Sequence, residues 1–152
     1  MMTVSETLDL RQLLAAIGDA VVVTDAAGAI TLWNPGAERM FGFTEKEALG
    51  ASLDLIIPER LRGRHWEGYD QTMRTGITKY GTTVLRVPAT HRDGSQLSIA
   101  FTVAMLHGAD GKPSAIAAVI RDETSRFNED RALRKKLAEL EARLQAYSPQ
   151  NP

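Results

Sequence analysis

Three histidines, at positions 65, 91 and 107, offer the ring nitrogens on which metal or proton chemistry in this chain could rest, because it contains no cysteine. His65 lies in "PERLRGRHWEGYDQTMRTG", residues 58–76. In a helix each residue turns about 100° from the last. Leu61, His65, Tyr69 and Thr72 then share one face, with Trp66 and Met73 at its edge. Glu59, Arg60, Arg64, Glu67, Asp70 and Arg74 fill the opposite face. His65 therefore sits in the middle of the non-polar arc and is expected to point inward. There a neutral imidazole can hydrogen-bond within the fold or act as a ligand. His91 and His107 fall at expected strand-turn junctions, where solvent is the default, and a zinc site built from all three has little support.

Catalytic signatures are absent. The sequence holds no GxSxG, P-loop or HExxH, and no paired carboxylates at helical spacing on an inward face. No enzymatic activity is expected, and the chain has no room for the ATP-binding domain of a histidine kinase. The 152 residues suffice for one domain with a core. Apolar content of 43% and charged content of 24% are ordinary for a globular protein. A formal net charge of −1 gives no field to recruit nucleic acid or a membrane surface. No apolar run reaches the ~18–20 residues of a membrane helix, and the polar start "MMTVSETLDLRQ" is unlike a signal peptide. A cytoplasmic protein is expected.

The elements that must position His65 can be read from periodicity and turn chemistry. Residues 5–17 read as an amphipathic helix. "DAVVVTD" and "AITLWN" read as strands of a hairpin with a glycine in the turn. Asn34 then caps a helix with Pro35 in its first turn, and "TEKE" from Thr44 is a capping box with Glu47. The long helix follows. "KYGTTVLRVPATHRDGSQLSIAFTVAML" reads as two strands about a turn at "HRDGS". In the second of these, Leu97, Ile99, Phe101, Val103 and Met105 alternate with small or polar residues, which is period two with one apolar face. "SAIAAVIRD" is a fifth, alanine-rich strand. The expected organisation is a flanking helix over 1–17, a core domain over 18–123, a second flanking helix over 124–147, and a disordered tail over 148–152.

That second helix carries Leu133, Leu137, Leu140, Leu144 and Tyr147 at steps of four, three, four and three, a short heptad seam with charges outside it. One domain cannot easily cover both this stripe and that of Leu8, Leu10, Leu13, Leu14 and Ile17. A homodimer burying the flanking helices against each other is therefore expected. Each fully buried leucine contributes about 1.5–3 kcal/mol, so four per chain could hold dimers of roughly micromolar affinity after association costs.

The order and motifs together resemble a PAS domain. "GDAVVVTDAAGAITLWNPGAERMFGFTEKEALG" looks like the PAS opening, and "RDG" at 92–94 and "IRDETSR" at 120–126 match the late hairpin and exit motif of that family. The resemblance implies an α+β fold: a five-stranded antiparallel sheet with helices on one face, plus flanking helices at both ends. It also implies sensing, dimerisation and signal transfer, as in two-component or transcription-regulating proteins, to an output partner the sequence does not name.

The long helix further resembles that of FixL-like haem PAS domains, which carry their proximal histidine after a basic segment. Counted back from "RDG", His65 falls at that position. The resemblance then implies that b-type haem is held by His65 and Tyr69 on the helix, with Lys79 at a propionate. Tyr80, Leu85, Phe101 and Val103 would line the distal side, and Met105 would approach the iron. Ala115, Ala117 and Ala118 would leave room for the macrocycle. The oxygen sensors of that group use a distal arginine where this register has Leu85; Arg86 is one residue off, on the other face. An apolar distal side would suit carbon monoxide, nitric oxide or a redox signal. Two alternatives stay open: a cavity with no cofactor or an unidentified small molecule, in an interaction and dimerisation module, and a non-covalent flavin stacked on Trp33. A cysteine-based flavin photocycle is excluded by composition.

Overall fold

The computed structural model of the chain describes residues 7–78 and 81–147. Its strands are β1 (Ala20–Asp25), β2 (Ile30–Trp33), β3 (Leu85–Thr90), β4 (Gln96–His107) and β5 (Pro113–Asp122). They form one antiparallel sheet in the order β2-β1-β5-β4-β3. The helices are α1 (Leu10–Ala16), α2 (Pro35–Phe41), α3 (Glu45–Ala48), α4 (Glu59–Thr75) and α5 (Thr124–Tyr147), with a 3-10 turn at Leu53–Leu55.

The register fixes which side chains share a face, because directly opposed residues of an antiparallel pair point the same way. Ala20 faces Ile120, Val22 faces Ala118 and Thr24 faces Ile116 across β1 and β5. Phe101, Val103 and Met105 of β4 face Ile120, Ala118 and Ile116 in turn. Leu85 of β3 faces Phe101. All of these line the helix-covered side. The core lies there, where Trp33, Phe41 and Ile30 are fully enclosed. The Trp33 and Phe41 rings pack at 5.5 Å, and Trp33 Nε1 donates to the Phe43 carbonyl at 2.9 Å.

Asn34 shows how one cap organises several elements. Its Oδ1 accepts from the Ala37 N–H at the start of α2 and from the Val21 N–H of β1, at 2.9 and 2.8 Å. Its Nδ2 donates to the carbonyls of Leu14 and Asp19, at 3.0 and 3.1 Å. With Gly36 at the next turn, where a Cβ would stand 2.3 Å from the Asp19 carbonyl oxygen, α2 lies hard against the entry to β1. The Thr44–Glu47 capping box forms, and Arg92 from the β3–β4 turn pairs with the same Glu47 carboxylate.

Two expectations change. The first helix starts at Leu10, not residue 5, because the Asp9 carboxylate accepts from the Arg11 and Gln12 N–H groups and caps it there; Leu8 precedes the helix. Residues 1–6 and the expected tail at 148–152 lie outside the described residues. The alanines of β5 divide between faces. Ala118 lies on the helix side, but Ala115 and Ala117, opposite Asp25 and Val23, lie on the other. Strand alternation therefore removes two of the three small residues expected to make room for a macrocycle.

The described residues from Glu123 onward form a unit separate from the sheet domain. Within it, α5 has no buried residue, and Leu133, Leu137, Leu140, Leu144 and Tyr147 are 50–88% exposed. No helix among the described residues is long and apolar enough to cross a membrane.

Candidate ligand site beneath the long helix

The helix α4 begins after Pro58, which presets an extended backbone ahead of the first turn, and ends at Gly76, whose φ of +72° closes it. Tyr69 is buried; Leu61, His65, Trp66, Thr72 and Met73 are half-buried; and Glu59, Arg60, Arg64, Glu67, Asp70 and Arg74 are exposed. The side expected to face inward is the covered one.

Two aromatic residues fasten α4 to the β1–β2 end of the sheet. The Tyr69 hydroxyl donates to the Asp25 carbonyl and lies 2.9 Å from Thr24 Oγ1, which must then be the donor in that second bond. Burial raises the Tyr69 pKa, the Thr24 bond opposes that, and the phenol stays protonated for this role. Trp66 donates from Nε1 to the Asp54 carboxylate at 2.7 Å and lays its ring on Gly28 in the β1–β2 turn. A Cβ at Gly28 would stand 2.3 Å from that ring, and its φ of +87° independently favours glycine. Arg62 holds the 3-10 turn from the same side, donating to the carbonyls of Ile57 and Asp54 at 3.0 and 3.2 Å.

His65 stands between these anchors. Its ring meets Trp66 edge-on at 4.6 Å and Tyr69 at 5.9 Å. Its Nδ1 is buried with no hydrogen-bond partner, unusual for a polar atom taken from water. Burial lowers the His65 pKa, partly opposed by the Asp54 carboxylate, so the ring is neutral at neutral pH. A neutral, unpartnered imidazole has the lone pair that a metal or a donor group requires.

The remaining expected site residues divide into two groups. Leu85, Phe101, Val103 and Met105 all lie half-buried on the helix-covered face, on the adjacent strands β3 and β4. Tyr69 is tied to β1, two strands from β4, which at ordinary strand spacing is about 10 Å. Between them β5 presents Ala118 and Ile116 as floor. The His65–Tyr69 pair and the four-residue apolar wall thus flank a strip of sheet floored by small and branched side chains. Arg86, opposite Ala100, is on the far face. Lys79 and Tyr80 lie outside the described residues. Trp33, the expected stacking partner for a flavin, is spent in the core and 1% exposed. His91 and His107 stand apart from this site. His91 Nδ1 accepts from the Asp93 N–H in the β3–β4 turn, and His107 ends β4 exposed. No group of three or more metal-ligating side chains occurs among the described residues.

Sequence reasoning missed Thr24, Asp54 and Gly28, the three residues that receive Tyr69 and Trp66. Gly28 alone carried a signal, as a turn glycine.

Comparison with known proteins yields a family model, described as the PAS fold, that matches residues 8–122. The chain is 34% identical over 126 residues to an uncharacterized protein of Azorhizobium caulinodans, covering 82% of this chain and 17% of that one. It is 32% identical over 136 residues to the sensor protein FixL of Bradyrhizobium diazoefficiens, covering 89% of this chain and 26% of that one. The chain thus spans about a quarter or less of the length of these two relatives. Among solved structures, the PAS domain of a Colwellia psychrerythraea protein superposes with a TM-score of 0.66 at 21% identity, covering 75% of this chain and 93% of that one.

Proposed function

Because this chain belongs to the PAS family, we propose that it is a non-catalytic, cytoplasmic sensory module that holds b-type haem beneath α4, with His65 as the protein ligand to iron. The observation that carries this reading is the buried, unpartnered nitrogen of His65. Every other polar group singled out on the covered side of α4 is matched: Tyr69 by Thr24 and Asp25, Trp66 by Asp54. The 32% identity with the sensor protein FixL supports it from outside the structure.

Haem, when bound, supplies an iron that takes small ligands and changes redox state. The chain's own residues supply the rest. Burial keeps His65 neutral, so its lone pair is available without first losing a proton. Leu85, Phe101, Val103 and Met105 offer a half-buried apolar wall, and Met105 brings the only thioether among them. The wall bears no guanidinium, since Arg86 is on the opposite face. It suits carbon monoxide, nitric oxide or a redox change better than a ligand needing a charged donor. Movement of the floor would pass along β5 into α5, which begins at Thr124 with Glu123 alone between it and Asp122.

The competing reading is a cofactor-free interaction module. It draws on the internal bonding of Tyr69 and the packing of Trp66, which already tie α4 to the sheet. Absorption spectroscopy of the protein mixed with haemin separates the two. The haem reading expects a Soret band that His65→Ala abolishes, with unchanged far-UV circular dichroism, and that His91→Ala and His107→Ala leave intact. No band in the wild-type chain supports the cofactor-free module. A band indifferent to His65→Ala overturns the ligand assignment.

A further inference from the structure

Two glycines stand inside α4 where nothing around them calls for glycine. We propose that the second half of this helix, from Gly68 to Gly76, is a door over the strip of sheet beneath it: the segment unwinds and lifts as a unit, with Gly68 as its hinge and the Tyr69 hydroxyl as its latch. The motion belongs to the chain alone; its use as a way in for a ligand rests on the sensory reading.

The glycines are the first observation. A Cβ at Gly63 or at Gly68 would meet no atom within 4 Å, and neither residue has a positive φ. Alanine would fit at both, so neither close packing nor backbone conformation requires glycine there. What remains is its effect on the helix, which glycine makes easier to unwind than alanine does, about fivefold at each position. Packing does little to offset this, since Tyr69 alone of the 17 residues of α4 is buried.

The attachments of the helix are the second observation, and they divide at Gly68. Arg62 and Trp66 tie the first half to the 3-10 turn, and the Trp66 ring rests on Gly28. Tyr69, the residue after Gly68, is bonded to Thr24 and Asp25 of β1. Beyond it, among the described residues, no side chain of α4 hydrogen-bonds to another element. Thr75 Oγ1 only donates back to the Gln71 carbonyl at 2.8 Å and accepts from the Ile77 N–H at 3.3 Å. The half-buried Thr72 and Met73 form the covered side of this half. At its end Gly76 has a φ of +72° and lies against Pro113 at the start of β5. Once the Tyr69 bonds break, the second half is therefore free between two glycines, while the first half keeps His65 in place. Elements with few buried contacts open locally at much lower cost than the whole domain, and hinges sit at a few residues that absorb the backbone change.

Amide hydrogen exchange of the full chain, read residue by residue, tests the door. Gly68→Ala should slow exchange at Thr72–Gly76 about fivefold, and Gly63→Ala should leave those amides unchanged. Tyr69→Phe should speed them at least tenfold, and more than it speeds Gly63–Trp66. Simple fraying of the last turn would not respond to position 68. Haemin association, followed by stopped-flow absorption, should slow about fivefold in Gly68→Ala and keep the wild-type rate in Gly63→Ala. Exchange at Thr72–Gly76 that ignores Gly68→Ala, or that slows equally in both alanine variants, would mean there is no separate door. Slowed exchange with unchanged haemin association would mean that ligands enter elsewhere. A wild-type chain that takes up no haemin fails the sensory reading, and the exchange rates then decide the door by themselves.

Discussion

Replacing Tyr69 by phenylalanine removes one oxygen from a site where two partners wait for it. The Asp25 carbonyl keeps a donor, because the Gly28 N–H also reaches it at 3.0 Å. Its loss is one hydrogen bond, about 0.5–1.5 kcal/mol. Thr24 is 3% exposed, and its hydroxyl loses its partner, which costs about 1–3 kcal/mol. Together Tyr69→Phe should destabilise the protein by about 2–3 kcal/mol. Thr24→Val alone removes one bond while Tyr69 still donates to Asp25, and should cost about 1 kcal/mol. In the Tyr69→Phe background the same Thr24→Val change removes an orphaned hydroxyl instead of a bonded one. The double variant should therefore be no less stable than Tyr69→Phe, with a coupling of at least about 1 kcal/mol. Urea denaturation followed by tryptophan fluorescence gives all four free energies. Losses that simply add, or a Tyr69→Phe cost below about 0.5 kcal/mol, would mean that this pair does not hold α4 to the sheet.

Asn34→Ala should lower stability by about 3 kcal/mol, since it breaks both the cap of α2 and the bonds to β1 and the segment before it; an unfolding midpoint within 2 °C of wild type would contradict this. His65 gives a pH dependence of definite sign. Its folded pKa lies below its unfolded value, so as pH falls through about 6.5 the unfolded chain takes up a proton that the folded one resists. Its contribution is present above that pH and lost below it, at no more than about 1.4 kcal/mol per pH unit, until the folded ring itself titrates. His65→Leu should flatten this slope in denaturation curves taken between pH 7.5 and 5.5, and an unchanged slope would place the effect elsewhere.

The strands and caps were legible because their signals are local. The period of two in β4 assigned Phe101, Val103 and Met105 to one face, and the spacing of Thr44 and Glu47 announced a capping box. The same alternation separated Leu85 from Arg86. In β5, composition hides the period. In "SAIAAVIRD" the alanines on the two faces are the same residue, so nothing in the sequence said which of them lined the site. The start of α1 was blurred because Leu8 continues the apolar stripe beyond the Asp9 cap. The bonds of Tyr69 to Thr24 and of Trp66 to Asp54 join residues 45 and 12 positions apart, and no periodicity reports such pairs. Position 65 could be read as inward-facing; that its nitrogen would be left without a partner could not.

The middle of the sheet has a mechanical consequence. β1 and β5 are neighbours, and Ala20, where β1 begins, is paired with Ile120, near the end of β5. The segment entering the sheet and the segment leaving it therefore attach side by side at one end of the same ladder. Tension between them would load the Ala20–Ile120 pair first, then each pair after it in turn, as a zipper opens. It would not shear all the pairs at once. A domain strung this way yields to small forces applied through its two ends, and a pull or twist on the outgoing segment is felt at once by the incoming one.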